Sequence, residues 1–204
     1  MKPIILASAS PRRKALLEQI GLKFTVDASG NDEQVEDGVE PHQLVCRISL
    51  QKAEAVSGKY TDAIIIAADT IGVIDGQIIG KPRSSEKARE MLARLSGKAH
   101  KVITGLTVLD TASQKTVSRS VETTVYMKKL TSGEMDNYVK SGEPLDKAGA
   151  YAVQGLGAVI IERIEGDYFN VMGLPLATLA EVLREFGVEV LKPNLKLITQ
   201  SSKL

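Results

Sequence analysis

Ser8-Ala9-Ser10-Pro11-Arg12-Arg13 sets two hydroxyls and two guanidiniums where a short apolar run gives way to a helix. A helix N-terminus offers unpaired N–H groups and a partial positive charge, and guanidinium forks match phosphate oxygens. Two arginines in a first turn oppose the helix dipole, so stability accounts for them poorly and phosphate binding accounts for them well. A plain N-cap with two solvated arginines is the simpler alternative. Ala67-Ala68-Asp69-Thr70 closes an apolar run, so Asp69 is expected at the end of a buried strand, where open α/β sheets place ligands. Such a carboxylate suits Mg²⁺ or Mn²⁺, which take one or two protein carboxylates plus substrate phosphates. It equally suits a turn cap.

Other candidates are weaker by themselves. Lys52 borders an apolar helix face, where lysines commonly lay their stems with the head in water. Lys81, in Lys81-Pro82-Arg83, sits at a loop-to-helix junction that could meet phosphate or simply turn in solvent. Glu33 lies in a polar loop and would not be chosen unaided. The stretch Asp146-Lys147-Ala148-Gly149-Ala150-Tyr151-Ala152-Val153-Gln154-Gly155 combines glycines that permit close backbone approach with an amide, Gln154, able to address a base edge. A structural Gly-rich turn with a Lys–Asp pair is the alternative there.

Several chemistries are excluded or disfavoured. Neither a G-x-x-x-x-G-K-[ST] loop nor a G-x-G-x-x-G fingerprint is present, so phosphate must be met by scattered cations. His42 and His100 stand alone, which speaks against a His metal cluster or a Ser-His-Asp triad. The single Cys46 rules out an internal disulfide and fits a buried thiol in a reducing compartment. Lys+Arg 26 against Asp+Glu 25 leaves no basic excess for nucleic acid. No apolar run approaches membrane-spanning length, and the N-terminal charges follow the apolar run instead of preceding it. A cytoplasmic protein without membrane or nucleic-acid partners is expected.

The elements that must position these residues alternate between helix and strand. Strands are expected at residues 2–7, 24–26, 63–68, 101–110, 116–127 and 158–164, with a hairpin around Asp75-Gly76. Helices are expected at 12–20, 41–56, 86–95, from a Thr131-x-x-Glu134 capping box to 140, and at 175–186. This order predicts an α/β fold with a mixed twisted sheet, flanking helices and two lobes around a cleft. Residues 1–191 form a single domain in this reading, and 192–204 a loose polar tail.

Taken in order, Leu6 to Arg13, Glu33, Gln51-Lys52-Ala53, Ala68-Asp69-Thr70, Gly80 to Arg83 and Asp146 to Gly155 resemble the Maf family of nucleoside triphosphate pyrophosphatases. The resemblance spans roughly residues 3–190. With Arg12 and Gln154 present, it points to the branch that hydrolyses dTTP and UTP. It implies a fold related to inosine triphosphate pyrophosphatases and assembly as a homodimer. It also implies Ser8, Ser10, Arg12, Arg13, Lys52 and Lys81 around the phosphates of a nucleoside triphosphate. Glu33 and Asp69 would stand at a divalent metal, with Asp69 as proton acceptor or water orienter, and Thr70 and Gln154 would act in substrate choice. Two rival functions are a regulatory nucleotide binder in septum control with little catalysis, and a pyrophosphatase clearing modified purine nucleotides.

Overall fold

The computed structural model describes residues 2–28 and 38–191. Among these, seven strands form one mixed sheet: β1 (Ile4–Leu6), β2 (Thr25–Val26), β3 (Ile64–Ile74), β4 (Gln77–Ile79), β5 (Ala99–Asp110), β6 (Thr116–Met127) and β7 (Ile161–Glu165). Their order is β2-β1-β3-β5-β6-β7, with β4 also paired to β3. β1 runs parallel to β2 and β3, and the remaining pairs are antiparallel.

β3 is apolar on both faces because both are covered. Ile64, Ile66 and Ala68 pack against α1 (Pro11–Gln19) and α6 (Leu176–Glu185). Ile65, Ala67, Ile71 and Val73 face α2 (Pro41–Ser57). The α2 backbone presses on the sheet at Gly105, where a Cβ would stand 2.2 Å from the Val45 carbonyl oxygen. A second lobe gathers α3 (Ser85–Leu95) and α4 (Ser132–Lys140) around Leu92, Leu95, Val125, Met127, Tyr138 and Ile160.

The structure corrects three expectations. First, β3 does not stop at Asp69 but runs on to Ile74, because β5 pairs with it from Ile64↔Asp110 to Val73↔Lys101. The polar pair is tolerated in mid-strand because both side chains find partners. On the opposite edge, β1 covers only Ile64–Ile66 and β4 only Gly72–Ile74. Residues 67–71 therefore lack a strand neighbour on that edge, and the sheet opens there. Second, residues 158–160 belong to a 3₁₀ turn, Gly155–Ile160, and β7 begins at Ile161. The Glu143 carboxylate accepts from Leu156 N (3.0 Å) and Gly157 N (2.9 Å), coiling this run before it reaches the sheet. Third, a short helix α5 (Tyr168–Met172) stands where none was expected, capped by Asp167, which accepts from Phe169 N and Asn170 N. The hairpin at Asp75-Gly76 is as expected, with φ of 52° and 73°, the left-handed pair of a type I′ turn. Residues 192–204, expected as a loose tail, lie outside the described residues.

Candidate active site

A cleft of about 650 Å³ opens where β3 lacks its neighbour, between the two lobes. Its size suits a small-molecule ligand. It brings together the β1–α1 residues Ser8, Ser10, Arg12 and Arg13 with Lys52, Asp69 and Thr70 from the first lobe. The second lobe contributes Lys81 and Gln154. Every expected site residue within the described residues lines this cleft, and Glu33 lies outside them.

Strand alternation sends Asp69 and Thr70 to opposite faces. Asp69, on the α2 side, is 4% exposed, and its Oδ1 accepts from Lys52 Nζ at 2.6 Å. Lys52 sits one helical turn before Val56 on the same α2 stripe, so sheet packing delivers its ammonium to the buried carboxylate. The expectation of a surface lysine is thereby set aside.

Thr70, on the other face, belongs to a buried polar network. Arg13 donates from Nε to the Gly173 carbonyl (2.8 Å), from Nη1 to Ser8 Oγ (3.1 Å) and from Nη2 to Thr70 Oγ1 (3.0 Å). Thr70 Oγ1 also bonds Thr104 Oγ1 (2.9 Å), which donates to the Asn170 carbonyl (3.0 Å). Arg13 thus ties β1, β3 and α5 together, while Ser10 caps α1 by accepting from Arg13 N. Arg13, expected at phosphate, lines the cleft, and these acceptors also make it a girder of the cleft wall. Arg12 lines the cleft as well, and among the described residues its guanidinium donates no hydrogen bond. Burial pushes its pKa below the usual value, partly offset by the charge of Asp146.

Sequence reasoning missed the supports. Gly173, Thr104 and Asn170 carried no motif, and only contact across the sheet reveals them. His100 Nε2 bonds the Tyr151 hydroxyl at 2.6 Å inside the cleft wall, and its Nδ1 has no partner among the described residues. Burial lowers the His100 pKa to about 4, so the ring is neutral. Cys46, expected to be buried, is only half-buried at α2.

The donors at the cleft floor fit a hard divalent cation. Asp69 supplies a carboxylate, and such ions complete their shell with phosphate oxygens and water. No group of three His, Cys, Asp or Glu residues that could cage a metal exists among the described residues. No described helix is long and apolar enough to cross a membrane.

Comparison with known proteins gives consistent findings. A family model described as "Maf-like protein" matches residues 3–186. A dTTP/UTP pyrophosphatase of Methanosarcina barkeri is 50% identical over 196 residues, covering 96% of this chain and 100% of that protein. A dTTP/UTP pyrophosphatase of Desulforamulus reducens is 48% identical over 190 residues, covering 93% of this chain and 100% of that one. Among solved structures, a HAM1 protein from Coxiella burnetii shares the fold, with a TM-score of 0.51 at 15% identity over 91% of this chain and 100% of that chain.

Proposed function

Because the chain belongs to the Maf-like protein family, we propose that it hydrolyses dTTP and UTP to the nucleoside monophosphate and pyrophosphate. One observation carries the reading: the buried Asp69–Lys52 pair forms the floor of a cleft whose walls present Arg12 and Lys81. This is a carboxylate to direct water, set among cations that neutralise a polyphosphate.

Water attacks the α-phosphorus, the bond to the bridging oxygen breaks, and pyrophosphate departs with the electron pair. Asp69 accepts a hydrogen bond from the attacking water and holds it in line, and the water's proton leaves through that carboxylate to solvent as the new P–O bond forms. Lys52 fixes the Asp69 carboxylate and faces the same phosphates. Arg12 and Lys81 balance the charge that develops on the leaving group, the electrostatic share of such reactions. Mg²⁺ or Mn²⁺, held by Asp69 and Glu33 together with phosphate oxygens, would add charge neutralisation and a more acidic bound water. Gln154 follows an extended backbone at the cleft rim and its side chain caps no turn, which suits its amide to a pyrimidine edge. A cytoplasmic homodimer is part of the same reading. Leu156 and Val159, 57% and 69% exposed on one turn beside the cleft, motivate it, and sedimentation velocity tests it.

The test is pyrophosphate release with Mg²⁺ or Mn²⁺ across common and modified nucleoside triphosphates, with Asp69→Asn as control. Selective turnover of dTTP and UTP, lost in the variant, is the expected result. Folded protein that turns over no nucleotide would make it a regulatory binder, and equal use of purines would remove the pyrimidine assignment.

A further inference from the structure

Asp146 and Lys147 line the cleft but have no part in the reaction described above. Their backbone is tightly specified. Lys147 is extended between two 3₁₀ turns, Glu143–Asp146 and Ala148–Ala150. Gly149 and Ala150 follow in left-handed conformations, φ 75° and 61°. Gly149 N donates to the Gly80 carbonyl at 3.0 Å, and Ala150 N to the Lys147 carbonyl at 3.1 Å. A side chain at Gly149 would meet Ile79 Cδ1 at 3.2 Å. The run carrying Lys147 is therefore fastened to the run carrying Lys81, and the second lobe offers both ammonium groups to the same cleft from adjoining backbones.

The two side chains of the pair differ in setting. Lys147 is only 16% exposed, whereas its ion-pair partner Asp146 is 76% exposed. Asp146 also feels Arg12 on the first lobe, and its carboxyl lies below the usual range, through Lys147 foremost and Arg12 least. A mostly solvated carboxylate thus holds an inward lysine. Returning such a carboxylate to water costs little, and a phosphate oxygen carrying more charge can take its place.

We propose that Lys147 and Lys81 together form the second lobe's clamp on the pyrophosphate part of the substrate, and that Asp146 is a displaceable counter-ion occupying Lys147 until that anion arrives. The identity of the anion rests on the function proposed above, but the clamp can be tested without turnover.

The experiment is calorimetric binding of inorganic pyrophosphate, with Mg²⁺ present, to the wild-type protein and to Lys147→Met, Lys147→Arg and Asp146→Asn, with melting temperatures measured in parallel. Losing one charge-assisted contact should weaken pyrophosphate binding on the order of tenfold in Lys147→Met. Lys147→Arg should retain most of the affinity, and binding of dTMP should change far less than binding of pyrophosphate in Lys147→Met. Asp146→Asn should bind pyrophosphate more tightly than wild type, because the competing charge is gone. This opposite sign keeps the proposal testable even if Lys147→Met folds poorly. Wild-type protein that binds no pyrophosphate, or a folded Lys147→Met that binds it normally, overturns the clamp. Weaker binding in Asp146→Asn overturns the counter-ion role. If all binding results hold while dTTP is not hydrolysed, the clamp stands and the proposed function falls.

Discussion

At the residue scale, two arginines adjacent in sequence differ in how firmly they are held. Arg13 reaches three acceptors on three segments, which only a planar fork can do. Arg13→Lys should therefore act mainly through stability. Its ammonium cannot serve all three acceptors, and each one left unmet costs about 1–3 kcal/mol. Thermal unfolding should show a drop of several degrees, and an unchanged melting temperature would contradict the girder role. Gln154 has the reverse character, being exposed at the rim with its amide making no hydrogen bond among the described residues. Gln154→Glu should leave the melting temperature in place. It should lower kcat/KM for dTTP and UTP by tenfold or more, the equivalent of about 1–3 kcal/mol for a mismatched polar partner. If base preference stays as in the wild type, Gln154 does not read the base.

At the scale of elements, the site depends on how closely α2 lies on the sheet. The only side chain tolerated at Gly105 is a hydrogen, because the Val45 carbonyl occupies the position a Cβ would take. Lys52 lies seven residues beyond Val45, two turns along the same helix face, so a displaced α2 carries its ammonium away from Asp69. Gly105→Ala should cost about 1–3 kcal/mol or more through overpacking. It should also lower kcat, although the residue does not itself line the cleft but pairs with Asp69 across the β3–β5 ladder. Denaturant unfolding and steady-state kinetics on the same preparation measure both effects. Loss of stability with kcat intact would show that the Lys52–Asp69 contact does not depend on this packing.

For the whole molecule, the buried contact between β5 and the second lobe's cleft wall predicts a pH-dependent stability. His100 on β5 is 3% exposed and bonds Tyr151 in the second lobe's cleft wall, and burial brings its pKa from 6.5 to about 4. Between these values the unfolded chain binds a proton that the folded protein refuses. Stability therefore falls as pH drops from about 6.5 towards 4, with a slope approaching about 1.4 kcal/mol per pH unit from this group. Melting temperatures measured from pH 7 to pH 5 should decline in the wild type. His100→Gln should start lower, through loss of the Tyr151 bond, and decline less steeply. Equal slopes for the two proteins would remove His100 as the cause.

The chain's local chemistry alone determined much of this. Ser10-Pro11 starts α1, Thr131 and Glu134 form a capping box, and Asp75-Gly76 turns a hairpin, because each depends on neighbours a few residues away. Apolar periodicity likewise set the alternation of helices and strands, and the ordered motifs carried the family and the cleft residues. What only the tertiary structure decided depends on groups far apart in sequence. Asp69 stays in mid-strand because Lys52 meets it across the α2–sheet interface, and the cleft exists because β1 and β4 each cover only part of one edge of β3. Arg13 became a girder because Gly173, 160 residues away, brings a carbonyl to its Nε. Residues 158–160 coil instead of extending because Glu143 captures their neighbours' amides. Local propensity cannot encode such partners, since the energy that selects them appears only when remote segments are packed and desolvated together.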